Sequence, residues 1–248
     1  MKIAAAQLTC VPADIPANVR RLVALAEQAR AQGAELVVFP ELALTGYELG
    51  SLVEDPGLWV SADDPRLDPI RAVGIATVVN CAVVTGGSLP AIGTLVYDAD
   101  GEPVTTYRKQ YLYEEERGVF AAGDRDGRFE LGGLRFALAT CYDNHFPELT
   151  ARGAADGCQV HLASSLYGTG KGIEERAAVY PGIAEDTGLY VVMANHVGPS
   201  GPWTGCGGAA LWAPGGALLA EADDRAVTVV VAEVGRLRSP ADADGISG

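Results

Sequence analysis

Short, nearly continuous apolar runs constrain this chain of 248 residues more than any other feature. Residues 3–8, 35–41 (ELVVFPE), 135–141 (RFALATC), 160–164 and 189–195 (LYVVMAN) show little alternation of apolar and polar side chains. A strand written this way has both faces covered, as in the sheets of α/β proteins. Helix-compatible stretches stand between the runs. Val19, Leu22, Val23, Ala26 and Ala29 recur at helical spacing between Pro16 and Gly33, and residues 147–157 and a stretch between 164 and 189 are also helix-compatible. Pro181 is expected to break or kink that last stretch, or to mark its first turn. Strands mixed with helices throughout predict layered α/β architecture with helices outside a sheet core.

Residues 63–80 could hold a second helix with limits blurred by Pro65, Pro69 and Gly74, before a strand at 81–85 and a turn at Gly86-Gly87. Strands at 94–98 and 103–109 flank Asp98-Ala99-Asp100-Gly101, the composition of a hairpin turn. Later strands at 209–213 and 227–234 are separated by Pro214-Gly215-Gly216. With 48% hydrophobic and 20% charged residues the chain can bury a large core. One domain over residues 1–238 is expected, followed by a polar, flexible tail at 239–248.

The net charge is −14, and no Lys/Arg cluster exceeds a dipeptide, so nucleic acid is not an expected partner. No run approaches the roughly 18 apolar residues of a membrane span. The first residues are too short and too polar for a secretion signal, and five scattered cysteines fit a reducing compartment, so a cytoplasmic location is expected. No CxxC or HxxxH spacing points to a metal, and the isolated glycine pairs lack the spacing of a phosphate-binding loop. Neither metal nor cofactor is expected.

Three polar residues stand where apolar runs end: Glu41, Lys109 and Cys141. Ligands gather at strand ends in α/β folds. Cys141 precedes the helix-compatible segment 146–156, a placement that lowers a thiol pKa and offers backbone N–H groups to an oxyanion. Taken singly, each has a plainer reading. A Cys closing a buried strand is more often an inert hydrophobe, and Glu41 and Lys109 are more often solvated charges.

Their surroundings change that balance. Phe39-Pro40-Glu41-Leu42 with Thr45-Gly46-Tyr47, then Tyr107-Arg108-Lys109-Gln110-Tyr111-Leu112, then Cys141-Tyr142-Asp143-Asn144-His145-Phe146-Pro147-Glu148 occur in that order. They resemble the glutamate, lysine and nucleophile segments of the nitrilase, or carbon-nitrogen hydrolase, superfamily. Glu116-Arg117-Gly118-Val119-Phe120 resembles its second-glutamate segment, so the resemblance spans about residues 2–234. The strings near Leu112 and Cys206-Gly207-Gly208 are most similar to aliphatic and ω-amino amidases.

The resemblance implies a four-layer α-β-β-α sandwich and a homodimer or larger homo-oligomer. It also implies hydrolysis of a small aliphatic or ω-amino amide to carboxylate and ammonia through a thioester. Glu41 would be the general base, Cys141 the nucleophile and Lys109 the oxyanion stabiliser, with Glu116 orienting Lys109. Tyr142 would supply an oxyanion N–H, and Tyr47, Asn144, His145, Ser164 and Ser165 would border the substrate. Trp203 is a further candidate for the pocket wall. The chain departs from the family pattern at His145, Gly182 and Ala209. Alternatives are an N-carbamoyl amine substrate and, outside catalysis, a silent family member serving as a binding or scaffold subunit.

Overall fold

The computed structural model describes residues 1–235. The expected domain limit at 238 and the tail at 239–248 lie outside the described residues. The chain opens with β1 (Lys2–Leu8), α1 (Ile15–Ala31), β2 (Leu36–Val38), α2 (Leu49–Glu54) and α3 (Asp68–Arg71). A strand-rich stretch follows: β3 (Ala76–Val83), β4 (Ala91–Tyr97), β5 (Pro103–Arg108), β6 (Gly127–Leu131) and β7 (Leu134–Thr140). Then come α4 (Pro147–Ala155), β8 (Val160–Ser165), α5 (Lys171–Thr187) and β9 (Tyr190–Ser200). Strands β10 (Trp203–Cys206), β11 (Ala210–Trp212), β12 (Leu218–Glu221) and β13 (Thr228–Glu233) complete the described chain.

The main sheet runs in the order β5-β4-β3-β2-β1-β9-β8-β7-β6, parallel at its centre and antiparallel toward its ends. Its two ends meet. Gly127 at the start of β6 sits so close to β5 that an added Cβ would lie 2.8 Å from the Tyr107 ring and from Leu138 Cβ. The sheet is therefore nearly closed into a barrel, flattened into two facing layers.

Successive residues of β1 show how the layers form, because strand side chains alternate between faces. Ala4, Ala6 and Leu8 pack against Val19, Leu22 and Ala26 of α1, while Ile3 and Ala5 turn inward toward Leu36, Phe136, Val160 and Val192. On the far side Ala163, Val191 and Met193 pack on Tyr180, Ile183 and Ala184 of α5. Helix, sheet, sheet, helix is the four-layer α-β-β-α sandwich, and it accounts for runs that are apolar on both faces. No helix among the described residues is long and apolar enough to cross a membrane.

Three local expectations are corrected. Residues 63–80 hold only a 3-10 turn (Pro65–Leu67) and the four-residue α3, and β3 already begins at Ala76. Gly74, with φ of +75°, ends the turn, and Thr77-Val78-Val79 then favours the pleated, fully buried slot between β2 and β4. Strand β2 stops at Val38 rather than at residue 41, because Pro40 has no N–H for the ladder. Pro181 lies inside α5, so it neither ends the helix nor marks its first turn, which leaves the kink among the three expected effects. The carbonyl deprived of a partner is that of Ala177, an exposed residue, where water can replace the lost bond.

Candidate active site

The segments after β2, β5 and β7 leave the same end of the sandwich and bring their polar residues together. Glu41 follows Phe39-Pro40, and its backbone is held from the opposite layer: its N–H donates to the Ser165 carbonyl at 3.3 Å, and the His196 ring hydrogen-bonds its carbonyl. Lys109 continues the pairing of β5, its N–H donating to Ile92 O at 2.8 Å. Glu116 closes a 3-10 turn, and Tyr113 N–H donates to its Oε2 at 2.8 Å.

Lys109 Nζ is the hub. It donates at 2.7 Å to Glu41 Oε1 and at 2.7 Å to Glu116 Oε1, with all three side chains buried. Tyr47 Oη also donates to Glu116 Oε1, at 2.9 Å. Burial opposes the lysine charge, but the two carboxylates more than offset it and hold the ammonium above the usual lysine range. Burial likewise pushes the Glu41 carboxyl up to about 7, against the pull of Lys109 and with Glu116 adding repulsion. Glu41 Oε2 is buried without a partner among the described side chains. The Cys141 thiol is near enough to the Glu41 carboxylate to act on its titration, while its own hydrogen bond runs to the Leu166 carbonyl.

Cys141 heads a 3-10 turn (Cys141–His145) at the end of β7, with φ of +43°. For a residue with a Cβ this conformation costs on the order of 1–3 kcal/mol, and it thrusts the side chain out of the strand. The thiol points toward Leu166 O at 3.6 Å and borders a cavity of about 420 Å³. Burial, reinforced by Glu41, holds the thiol well above its ordinary pKa even though Lys109 pulls the other way. The expected helix N-terminus is absent at this point: α4 begins six positions later, at Pro147, so no helix end lowers the thiol. A thiol held this way stays protonated unless a base takes its proton.

The chain that carries this glutamate-lysine-glutamate cluster beside a strained thiol has relatives among known proteins. The family model described as carbon-nitrogen hydrolase matches residues 2–239. This chain belongs to the carbon-nitrogen hydrolase family. A solved double mutant of the amidase from Nesterenkonia sp. AN1, in complex with acrylamide, superposes with a TM-score of 0.87 at 29% identity, covering 95% of this chain and 91% of that one. The hydrolase in pqqF 5′ region of Pseudomonas protegens is 30% identical over 89% of this chain and 78% of its own length. An (R)-stereoselective amidase of a Pseudomonas species is 32% identical over 80% of this chain and 72% of its own. The protein is thus an amidase-like hydrolase.

In this carbon-nitrogen hydrolase Glu41, Glu116 and Cys141 line the cavity together with Tyr47, Tyr142 and His145, and Trp203 stands in its wall. His145 hydrogen-bonds Tyr167 Oη through Nε2 at 3.0 Å, and partial burial lowers its pKa while Glu175 opposes that shift. Asn144, Ser164 and Ser165 stand behind the wall and do not line it. Asn144 holds the turn by donating to Cys141 O at 2.9 Å while its Oδ1 pairs with His161 Nε2 at 2.7 Å. Ser165 Oγ hydrogen-bonds Tyr180 Oη at 2.6 Å, and Ser164 is buried. Of the departures, Gly182 lies in a groove between α4 and α5, and Ala209 N–H donates to Gln7 Oε1 at 3.1 Å.

Sequence reasoning missed Tyr113, Tyr167, Lys171 and Glu175 in the wall, which come from the residue before the 3-10 turn of Glu116, the loop after β8 and the start of α5. It also missed Asp143. That buried carboxylate accepts from Thr140 N–H at 2.9 Å, Tyr107 Oη at 2.7 Å, Gln110 N–H at 3.1 Å and Tyr111 N–H at 2.9 Å. Asp143 therefore locks the cysteine turn to the lysine segment. The available signal was an Asp three residues after Thr140, the spacing of a capping box.

Proposed function

We propose that the protein hydrolyses small aliphatic amides to a carboxylate and ammonia through a thioester on Cys141. The observation that carries this reading is the buried Lys109 ammonium bonded at 2.7 Å to both Glu41 and Glu116 beside the Cys141 thiol. Glu41, raised to about 7 yet partly ionised at neutral pH, takes the thiol proton as sulfur attacks the amide carbonyl carbon. Negative charge moves to the carbonyl oxygen. The Lys109 ammonium and the Tyr142 N–H stabilise that oxyanion, where a single preorganised donor contributes about 3 kcal/mol.

Collapse of the tetrahedral adduct breaks the carbon-nitrogen bond, and Glu41 returns its proton to the nitrogen, which leaves as ammonia. Water then attacks the thioester with Glu41 as base, and the thiol is regenerated as the acid departs. Glu116 keeps Lys109 charged and directed, and Tyr47 fixes Glu116. Tyr142, His145 and Trp203 border the acyl group; Asn144, Ser164 and Ser165 act from behind the wall. The reading agrees with structures of the Nesterenkonia amidase that hold butyramide, or an acetamide moiety added at the active-site cysteine. Five free cysteines fit a reducing, cytoplasmic setting, and a homo-oligomer is the assembly that the family implies.

Incubation with a panel of short amides, with ammonia as the readout, tests the proposal. Turnover that disappears in Cys141→Ala is expected. Absence of turnover across the panel, or turnover unchanged in Cys141→Ala, overturns it.

A further inference from the structure

Among the described residues three side chains other than glycine sit on positive-φ backbone: Ala13, Leu42 and Cys141. Leu42, at +49°, directly follows Glu41, and Cys141 is itself the proposed nucleophile. Backbone of this kind persists only where its surroundings over-determine it. For both segments those surroundings include Asn80, a fully buried residue of β3 with no place in the chemistry described above.

The contacts of Asn80 run to both sides. Its Oδ1 accepts the Leu42 N–H at 2.8 Å, and its backbone carbonyl accepts the Ala43 N–H at 2.8 Å. Its Nδ2 donates to Thr140 Oγ1 at 3.1 Å and to Thr94 Oγ1 at 2.9 Å. Thr140 is the last residue of β7, immediately before Cys141, and β7 belongs to the opposite layer of the sandwich. One rigid planar amide, with its acceptor on one side and its two donors on the other, thus spans from the turn after the base to the residue before the nucleophile. A hydroxyl is too short to do both, and an apolar residue does neither. The third tie, to Thr94, ends on β4 and reaches neither segment.

We propose that Asn80 is a positioning residue that sets the separation of Glu41 and Cys141 by tying the turn behind one to the strand end behind the other. This rests on the roles of Glu41 and Cys141 given under the proposed function. A buried amide that only satisfied core hydroxyls would treat Thr94 and Thr140 alike. A positioning amide does not.

The test is the pH profile of Cys141 alkylation by iodoacetamide, a readout that needs no known substrate, together with kcat and KM on a turned-over amide. In the unaltered protein the alkylation rate is expected to rise through a limb near 7 as Glu41 ionises, and Glu41→Gln is expected to remove that limb. Beside Asn80→Ser, which leaves the Thr140 cap on the 3-10 turn intact and is expected to show the same losses, Thr140→Val cuts the tie toward the nucleophile together with that cap. It is expected to lose the limb and about 10- to 100-fold in kcat, with KM changed by no more than about twofold. Thr94→Val deletes the same kind of hydroxyl from the same amide and is expected to keep limb and kcat, with a fall in melting temperature similar to that of Thr140→Val. Retention of the limb and kcat in Thr140→Val, or equal losses in the two threonine variants, overturns the inference. A limb absent from the unaltered protein or surviving in Glu41→Gln overturns the assignment of Glu41 as base, and the inference with it.

Discussion

At Glu41 two opposed demands meet in one side chain. Burial raises its carboxyl toward the neutral range, where it can exchange a proton with a thiol, while the Lys109 ammonium at 2.7 Å prevents it from becoming a permanently neutral acid. A general base works only when unprotonated, so a raised pKa moves the acid limb of activity upward. The kcat/KM for an amide is expected to fall about tenfold per pH unit below about 7, instead of below the ordinary glutamate range. A pH-rate profile checks this, and a limb in the ordinary glutamate range contradicts it. Glu41→Gln keeps the shape of the side chain but cannot take the proton, and steady-state assays at neutral pH are expected to show a loss of about 10²- to 10⁴-fold in kcat.

At the scale of elements, chemistry depends on three segments that leave separate strands and must be held in register. Asp143 does this for two of them, since it accepts from the last residue of β7 and from the three residues Tyr107, Gln110 and Tyr111 around Lys109. In Asp143→Asn an N–H₂ group replaces the oxygen that now faces the Thr140 N–H and Tyr107 hydroxyl, setting donor against donor. A destabilisation of about 2–3 kcal/mol is expected, with a fall in kcat larger than that in a surface variant of equal stability. Denaturant unfolding alongside kinetics measures both.

The strand ends carrying Glu41, Lys109 and Cys141 were legible because an apolar run that stops on a polar residue is visible in the sequence alone. Asn80 was not, because Pro65, Pro69 and Gly74 disguised the start of β3 and placed residue 80 in an expected helix. Asp143, Tyr113 and Glu175 were equally silent. Beyond the local pair with Thr140, the partners of Asp143 lie 32 to 36 residues away along the chain, and Tyr113 and Glu175 meet across a cavity, so no local pattern encodes these meetings. The low thiol pKa expected from a helix start failed because a strained 3-10 turn intervenes before α4.

Over the whole molecule, the two ends of the sheet must close for Lys109, just beyond β5, to face Cys141, just beyond β7. Gly127 sits at that closure, against the Tyr107 ring. Gly127→Val is expected to wedge β6 from β5 and cost about 1–3 kcal/mol, which thermal unfolding will register, with activity lost in proportion to displacement of the lysine segment. Layered α/β with helices outside the sheet was readable from pattern, the four-layer sandwich only through the family resemblance, and the cavity from neither: layers follow from apolar faces, but a cavity follows from where loops end.

The most direct test of the account is the intact mass of the protein quenched during turnover of a slowly hydrolysed amide. The account predicts an acyl group added to Cys141, absent in Cys141→Ala, that decays as carboxylate appears, with ammonia released ahead of carboxylate by one equivalent for each acyl group held on the enzyme. Ammonia released at the full rate with no adduct on Cys141, or with an adduct on another residue, would contradict it.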